Sequence, residues 1–163
     1  MPINIYIIDT SALIDLKPYP SDVFKTLWTN IELLIKRARL ISPKQVLDEL
    51  SKKDDVLFKW AKRNRTMFKD LTQDQIVKVK EIVNKFPRLV DVNKEIQDAD
   101  PFVISLALIT ESQQKIIPIE EKKIVITQEV YKENKINIPQ ACKFYDIEYL
   151  NIIELFRREN WIF

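Results

Sequence analysis

The apolar residues of this chain fall into short runs separated by longer stretches with helical spacing. Strand-like runs stand at residues 5–8, 40–41, 123–127 and 148–150, and residues 89–92 are either a further strand or an extended connection. Short apolar runs are typical of strands buried on both faces of a parallel sheet. Because the intervening stretches repeat apolar residues every three or four positions, the pattern predicts an α/β fold. We expect three layers (α/β/α), with a central, mostly parallel sheet and helices on both faces.

Local signals set the expected ends of the first two long helices. Ser21 or Asp22 opens a helix whose apolar stripe reaches Ala38. Ser42 and Pro43 are typical of an N-cap followed by proline at the first helical position. We therefore expect the second strand to end before Ser42.

A helical segment of about residues 54–87 follows. Residues 54–68 are predicted to be helical, and Thr72 begins a capping-box sequence that opens another helix. Pro87 ends that helix. The segment could sit beside the sheet as a lid. Because no glycine- or serine-rich linker sets it apart, we expect a single domain, residues 1–163.

Two predicted strands end in an acid beside a hydroxyl. Asp9 follows the first strand and precedes Thr10 and Ser11, and Glu129 comes shortly after Thr127 at the end of another strand. A carboxylate buried at a strand end costs several kcal/mol unless it is neutralised. Asp9 is therefore either hydrogen-bonded into a turn or bound to a cation.

Two predicted helices begin near acids. In the helix after the second strand, Glu49 lies close to the border of the inner face, whereas Asp48 points away from it. Asp98 and Asp100 come at the start of an apolar, buried-type helix, where Asp100 and the proline after it form an N-cap pair. Taken singly, Glu49 is explained as a solvated surface residue and Asp100 as a helix cap.

The joint placement of these acids predicts a metal site. All belong to the carboxyl-terminal edge of a doubly wound sheet: Asp9, Glu49, Asp98, Asp100 and Glu129. Carboxylates brought within several Å repel each other, and a divalent cation relieves that repulsion. Because clustered carboxylates suit hard cations, we expect Mg²⁺ or Mn²⁺. Such an ion could activate water and stabilise phosphoryl displacement, with Thr10, Ser11 and Thr127 orienting carboxylates or waters.

Composition excludes several other catalytic chemistries. The chain has no histidine, which removes Ser-His-Asp and Cys-His catalysis and imidazole metal sites. It has no glycine, which removes the P-loop and the dinucleotide-binding fingerprint. Its one cysteine, Cys142, allows no internal disulfide and no cysteine zinc cluster. Chemistry is left to carboxylates, hydroxyls, lysine and arginine.

Charge and hydropathy favour a cytoplasmic protein without membrane contact. No apolar run is long enough to cross a bilayer, and the chain start shows no basic segment followed by a signal-type apolar core. With a formal net charge of +2, any nucleic-acid contact must be local. The basic side chains that could follow a phosphate backbone, unless they simply face water, are Lys52, Lys53, Lys62, Arg63 and Arg65.

These motifs together resemble the PIN-domain ribonucleases, including the VapC toxins of toxin–antitoxin modules. IYIIDTSALIDL (residues 5–16) is similar to the first motif of that family, and Glu49 in VLDEL matches its second acid. Asp100 in ADPFVISLAL matches the acid before the family's apolar helix, and Glu129 in IVITQE matches the fourth position. YPSDVFKTLW, FKWAK and NIPQACKFYDI are similar to the same segments of a PIN-like subfamily.

The resemblance implies a fold, an activity and partners. It implies a PIN-like domain that cleaves RNA internally with Mg²⁺ or Mn²⁺ and leaves 5′-phosphate and 3′-hydroxyl ends. The catalytic and metal-binding acids would be Asp9, Glu49, Asp100 and Glu129, with Asp98 as a further ligand. It also implies inhibition by a cognate antitoxin protein and, often, a homodimer.

The fourth acid departs from the family pattern. Glu129 stands where Asp or Asn is usual, so its longer side chain could act through a water, and Glu133 is a substitute. Asp98 could likewise share or replace the role of Asp100. The departure keeps open a second hypothesis: a PIN-fold module that binds RNA or protein with little or no turnover.

A third hypothesis is a haloacid-dehalogenase-type phosphatase with Asp9 as its nucleophile. That family has a second Asp two residues after the first, and this chain has Ser11 there. The hypothesis is therefore the weakest of the three.

Overall fold

The structure, a computed structural model, describes residues 1–95, 97–109 and 119–163. Among these residues, the strands are β1 (Ile3–Ile8), β2 (Leu40–Pro43), β3 (Phe68–Lys69), β4 (Glu121–Ile126) and β5 (Tyr149–Leu150). The helices are α1 (Thr10–Ile14), α2 (Lys25–Lys36), α3 (Lys44–Lys53), α4 (Asp55–Arg63), α5 (Gln73–Lys85), α6 (Asp100–Leu108), α7 (Ile138–Phe144) and α8 (Ile152–Arg158). Short 3₁₀ turns cover Arg65–Met67 and Pro87–Leu89.

The strands form one parallel sheet in the order β3-β2-β1-β4-β5. β1 is central and pairs with β4 along its length, from Ile3 opposite Glu121 to Ile8 opposite Ile126. The chain first moves outward from β1 through β2 to β3, and then returns to the other side of β1 to form β4 and β5. The strand order therefore reverses between β1 and β4, and ligands of parallel sheets bind at such a switch point.

Helices cover both faces of the sheet, so the predicted three-layer α/β/α architecture is confirmed. Crossovers between parallel strands are right-handed. The crossover through α2 leads from β1 to β2, whereas the crossover through α5 and α6 leads in the opposite direction, from β3 to β4. These helices therefore lie on opposite faces. α6 packs against β1, β2 and β4, with α5 and α7 beside it.

The centre of the core is formed by β1, β4 and α6. The last three residues of β1 and of β4 are almost fully buried. α6 is buried from Pro101 to Leu106 and has apolar side chains around nearly all of its circumference, which confirms the prediction of a central helix. Its first residue, Asp100, stands close to the carboxyl-terminal ends of the strands, because the N–H of the preceding residue, Ala99, donates to a side chain of α3.

Of the two alternatives for residues 89–92, the strand is wrong, and the outer strand β3 begins at the end of a segment predicted to be helical. The third strand is Phe68–Lys69, which pairs in parallel with β2, and not residues 89–92. Pro87–Leu89 instead forms a 3₁₀ turn in which Leu89 is buried. A strand of two residues is too short to show any periodicity in the sequence. The apolar pattern at residues 89–92 has another cause, because Leu89 packs into the core from a 3₁₀ turn.

The predicted helix at residues 54–68 is shorter than expected. It ends at Arg63, and the chain then turns through Arg65–Met67 into β3. The segment 54–87 therefore contributes a strand to the edge of the sheet. That this segment acts as a lid, and that residues 1–163 form a single PIN-like domain, stay predictions.

Ser42 is not an N-cap. It lies inside β2, is fully buried, and its hydroxyl donates a hydrogen bond to the carbonyl oxygen of Ile8 at 2.7 Å. α3 begins at Lys44, after Pro43, and has no side-chain cap. The hydroxyl therefore joins the ends of β1 and β2 and does not cap α3.

α2 begins at Lys25, later than predicted. The carbonyl oxygen of Pro20 accepts hydrogen bonds from the N–H groups of Val23 and Phe24, so this stretch is a separate turn. Val23, which was expected on the inner face, is 68% exposed. Ala38, also expected on that face, lies beyond the end of the helix.

Ala38 has the left-handed conformation, with φ of 54°. Asp146 and Asn160 have the same conformation after α7 and α8, with φ of 55° and 56°. Glycine usually holds this position after a helix. The chain has none, so larger residues adopt a conformation that is unfavourable for them.

The amino-terminal end of the sheet is closed by a polar network. The Tyr6 hydroxyl donates to Glu159 at 2.5 Å, and Arg39 donates to both oxygens of the same carboxylate at 3.0 and 2.5 Å. Arg39 also donates to the carbonyl oxygen of Asn4 at 3.0 Å. Burial and the neighbouring Glu159 raise the pKa of Tyr6 far above its usual value. The network fixes the end of α8 to the central strand.

None of the described helices combines the length and the apolar character that a membrane crossing requires.

Candidate metal centre

Asp9 lies at the end of β1, beside the switch point, and is only 3% exposed. It caps α1 by accepting a hydrogen bond from the N–H of Ala12 at 2.8 Å. The Ser11 hydroxyl lies 2.8 Å from both carboxylate oxygens, and the Thr127 hydroxyl donates to Oδ2 at 2.5 Å. Burial raises the pKa of Asp9 to about 6, against the effect of these hydrogen bonds, and the charge of Glu129 adds to the rise. Asp9 is therefore hydrogen-bonded into a turn and still hard to ionise.

Glu49 reaches the same end of the sheet from α3. One of its oxygens accepts a hydrogen bond from the Thr10 hydroxyl at 2.5 Å, and the other accepts from the backbone N–H of Ala99 at 2.8 Å. Asp48, the neighbouring acid, is exposed. Glu49 therefore joins the first turn of α1 to the start of α6, and its carboxylate stands beside the first turn of α6.

Asp100 is not the N-cap that the sequence predicted. The N-cap is Ala99, Asp100 is the first helical residue, and Pro101 follows it. The backbone N–H of this N-cap residue donates a hydrogen bond to a side chain of another helix, Glu49 of α3. Within the described part of the chain, no group forms a hydrogen bond with the Asp100 carboxylate.

The Asp100 carboxyl is strongly perturbed. Burial raises its pKa to about 8, together with the negative charges of neighbouring acids, which are, from the largest effect to the smallest, Glu129, Asp9, Glu49 and Asp98. Three of these acids come from distant parts of the chain and yet act on one carboxyl group, which indicates that they share one region.

Asp98 is bound in a different way. Its carboxylate accepts a hydrogen bond from the backbone N–H of Asp91 at 2.6 Å and forms an ion pair with Lys94. The hydrogen bond to Asp98 raises the pKa of Lys94, and the charge of Glu49 contributes to that rise. Because Asp98 is already paired and Asp100 is not, the arrangement favours Asp100 as the third acid.

Glu129 follows β4 and is held at the start of α7. Its backbone N–H donates to the Thr127 hydroxyl at 3.1 Å, and its carboxylate accepts a hydrogen bond from the N–H of Ile138 at 3.0 Å. Glu133 is exposed further along the loop. Glu129, and not Glu133, raises the pKa of Asp9 and contributes to the shift of Asp100. The geometry therefore favours Glu129 at the fourth position.

These acids share a region but not the coordination sphere of one ion. Across residues 1–95, 97–109 and 119–163, no three Asp, Glu or Cys side chains lie close enough together to bind a metal ion jointly. One cause is visible: Glu49 and Glu129 are both held by backbone N–H groups. The donors nevertheless fit Mg²⁺ or Mn²⁺ in kind, because they are carboxylate oxygens, one carboxylate is unpartnered, and their charges raise each other's pKa.

The five basic residues proposed to bind RNA lie in different places. Lys52 and Lys53 line a cleft of about 300 Å³ that reaches the acids of α3 and of the loop before α6. Arg63 lines a separate cleft walled by aromatic side chains. Lys62 lies over a phenylalanine ring of its own helix, and Arg65 is exposed in the turn after it. Of these five residues, only Lys52 and Lys53 line the cleft that reaches the acids.

Two residues near the acids were not identified from the sequence. Lys94 lines the same cleft as Lys52 and Lys53. The sequence signal that could have identified it is its position four residues before Asp98. Cys142 is buried in α7, where burial and the charges of Asp9 and Glu129 raise the pKa of its thiol to about 12. Burial and the neighbouring acids therefore disfavour the thiolate form of Cys142.

Comparisons with known proteins give a family but no close relative. No curated protein matches the sequence. A distant structural likeness exists to VapBC2 from Rickettsia felis, whose crystal structure contains a DNA fragment from its promoter. The TM-score is 0.49 and the identity 18%, over 90% of this chain and 98% of that chain, which is too distant to indicate a shared activity. Residues 6–163 match the family described as domain of unknown function (DUF4411), so the chain belongs to that family.

Proposed function

We propose that this chain is an endoribonuclease that depends on Mg²⁺ or Mn²⁺ and acts as the toxin of a toxin–antitoxin module. One observation carries the nuclease part: acids from three other segments, Asp9, Glu49 and Glu129, lie near enough to raise the pKa of a single carboxyl group, Asp100, at the switch point of a parallel sheet. Buried like charges are expensive, and structures retain them mainly where they work on a ligand.

The acids have distinct roles in this proposal. Asp100 would hold the ion first, because its carboxylate has no hydrogen-bond partner among the described residues, and Asp9 would be the second ligand. Glu49 and Glu129 would bind the ion, or a water next to it, after releasing the backbone N–H groups that hold them. Asp98 would join only by leaving Lys94.

The hydroxyls would keep the acids in position. Thr127 and Ser11 orient Asp9, and Thr10 orients Glu49. A bound Mg²⁺ or Mn²⁺ would lower the pKa of a water and offset the negative charge that builds up at the phosphate.

RNA is the proposed substrate because of the motif resemblance. Lys52 and Lys53 would contact the backbone near the cleaved bond, and Lys62, Arg63 and Arg65 would contact it farther along the strand. The toxin assignment rests on the motif resemblance alone. It includes a cognate antitoxin protein, a homodimer and a cytoplasmic location.

The test is cleavage of end-labelled RNA, single-stranded and structured, by the purified protein with Mn²⁺, Mg²⁺ or EDTA. Asp100→Asn and Asp9→Asn should each lower the rate at least ~100-fold, since each removes a charged ligand. Thr127→Val should lower it roughly 10-fold, because it loosens Asp9 without removing it.

The matched controls lie side by side in α3. Glu49→Gln should lose activity, whereas Asp48→Asn, on the exposed side of the same helix, should keep it. Cutting in EDTA, or undiminished cutting by Asp9→Asn, would contradict the nuclease assignment. Growth arrest on induced expression, absent for Asp9→Asn, tests the toxin assignment separately.

A second function has an observation in its favour. The Glu129 carboxylate is used to cap α7, and no three described acids are close enough to bind an ion jointly. These features suit a module that binds RNA or a protein without turnover. Tight RNA binding with no cleavage of any substrate by the wild-type protein would select it.

A further inference from the structure

The cleft beside Glu49 is a feature that cleavage chemistry alone does not explain. It lies between the end of α3 and the loop before α6 and has a volume of about 300 Å³. Its lining residues are Glu49, Lys52, Lys53, Lys94, Glu95 and Asp98. Since Glu49 also contacts the start of α6, the cleft adjoins the acids directly.

Two of the three acids that line the cleft, Glu49 and Asp98, are engaged, whereas the exposed Glu95 and two of the lysines form no ion pair among the described residues. Both oxygens of Glu49 accept hydrogen bonds from α1 and from the start of α6, and Asp98 is paired with Lys94. Among residues the structure describes, no acid forms an ion pair with Lys52 or Lys53. Their ammonium groups, in the last turn of α3, are exposed and available to an anion from outside.

Three ammonium groups around one cleft suit a phosphate. Each carries a full positive charge and three hydrogen-bond donors, and a phosphodiester presents two non-bridging oxygens that share one negative charge. Lys94 can exchange Asp98 for such a phosphate, because its side chain is about half exposed at 55%. An isolated phosphate could also enter, but the adjoining acids repel anions, so a phosphate that belongs to a longer RNA held by further contacts is the better ligand.

We propose that this cleft binds the RNA phosphate next to the one that is cut, through Lys52, Lys53 and Lys94. The inference rests on the proposed endoribonuclease function and deepens it. It means that a good substrate must extend at least one phosphate beyond the cleaved bond on the side of α3. Lys94 is then a positioning residue.

The test measures binding of the wild-type protein in EDTA to a fluorescent RNA nonamer. In a series of nonamers, one linkage at a time is a neutral methylphosphonate. Neutralising the linkage held in the cleft should weaken binding roughly 3- to 10-fold, and Lys94→Met should weaken binding to the fully charged RNA by a similar factor. In Lys94→Met the same neutral linkage should cost less than in the wild type, because Lys94 is one of the three lysines that contact it.

Salt dependence gives a second readout that a structural role would not move. Each phosphate that is neutralised contributes about 0.7 to the slope of log affinity against log salt for single strands. Lys94→Met and Lys53→Met should each reduce the slope by up to about that amount, because both lysines contact the same phosphate. Lys80→Met, on the exposed side of α5, is the matched control and should change neither slope nor affinity.

Each outcome decides the proposal. It is overturned if the nonamer does not bind, if neutral linkages cost the same with and without Lys94, or if Lys94→Met only lowers the Tm. If the cost of the neutral linkage depends on Lys94 but the wild type does not cleave RNA, the phosphate site is supported and the nuclease function is rejected. If the wild type cleaves RNA but that cost does not depend on Lys94, the nuclease function is supported and the phosphate site is rejected. Lys94→Met should raise KM on longer RNA by a larger factor than on UpA, which has only the cleaved phosphate.

Discussion

The two ends of the parallel sheet treat charge in opposite ways. At the amino-terminal end, Glu159 accepts hydrogen bonds from Arg39 and Tyr6, so a carboxylate meets a cation. At the carboxyl-terminal end, the carboxyls of Asp9 and Asp100 have raised pKa values, and no described lysine or arginine pairs with either. One sheet therefore has one compensated end and one uncompensated end.

The difference separates two uses of the same residue type. The carboxylate at the amino-terminal end holds the last helix to the central strand, which is a structural task. The acids at the other end lower the stability of the folded state unless a cation joins them, so their presence is better explained by binding than by folding. The comparison predicts that the two ends respond differently to pH, to metal and to substitution.

The largest expected effect is on stability against pH. In the unfolded chain both aspartates have pKa values near 3.9, and in the folded chain about 6 for Asp9 and about 8 for Asp100. The protonated forms therefore stabilise the fold below about pH 4, and this contribution is lost as pH rises through 6 and then 8. The shift of Asp9 alone corresponds to roughly 3 kcal/mol.

Thermal unfolding in EDTA should thus show a lower Tm at pH 8 than at pH 5, and Asp100→Asn should reduce the difference. Mn²⁺ should raise the Tm more at pH 8, because binding displaces protons from the acids. The chain has no histidine, so few other groups titrate in this window. A Tm that does not change with pH, or a metal effect that is larger at pH 5, would show that the acids do not interact as described.

The second effect is a difference in sign between substitutions. Glu159→Gln should lower the free energy of unfolding by about 2 kcal/mol, because it leaves Arg39 with an unpaired charge. Asp100→Asn should raise it by about 1 kcal/mol at pH 8, because it removes repulsion. Urea denaturation measures both, with Asp48→Asn as an exposed control that should change little. If both substitutions shift stability in the same direction, the two ends do not differ as proposed.

The smallest expected effect concerns the backbone at the amino-terminal end of the sheet. Ala38 precedes β2 there and has a left-handed conformation, so Ala38→Gly should stabilise the protein by about 1 kcal/mol. Ala61→Gly, inside α4, should destabilise it by at least about 1 kcal/mol. Thermal denaturation compares the two. A loss of stability in Ala38→Gly would mean that packing of the Ala38 methyl group stabilises the fold by more than its left-handed backbone conformation destabilises it.

Much of the central fold could be predicted because buried parallel strands have a strong pattern. The runs ending before Asp9 and near Thr127 are β1 and β4, and the apolar helix is α6. The outer strand could not be predicted, since Phe68–Lys69 pairs through only two residues. Ser42 was misplaced because a hydroxyl before proline suits a cap equally well, and only the pairing of β1 with β2 shows its true partner.

For the site, the sequence indicated the acids but not what holds them. The end of a strand determines where Asp9 lies, whereas the partners of Glu49 and Glu129 are backbone N–H groups that any residue carries. No sequence pattern distinguishes such partners. The partner of Asp98 has one weak signal, a lysine four residues earlier. The sequence therefore could not show that Asp98, Glu49 and Glu129 have partners while Asp100 has no hydrogen bond among the described residues.

α6 has a mechanical consequence for the site. Among the described contacts Asp100 has no hydrogen bond of its own, so its location is set by how tightly the helix behind it fits the core. Val103 and Ile104 are completely buried one turn away. Interiors are packed as densely as crystals, and a shift of about 1 Å at a reacting group can cost 100-fold in rate. Removing a methyl group from either residue would therefore lower the proposed nuclease activity at a smaller loss of packing than is needed to unfold the protein.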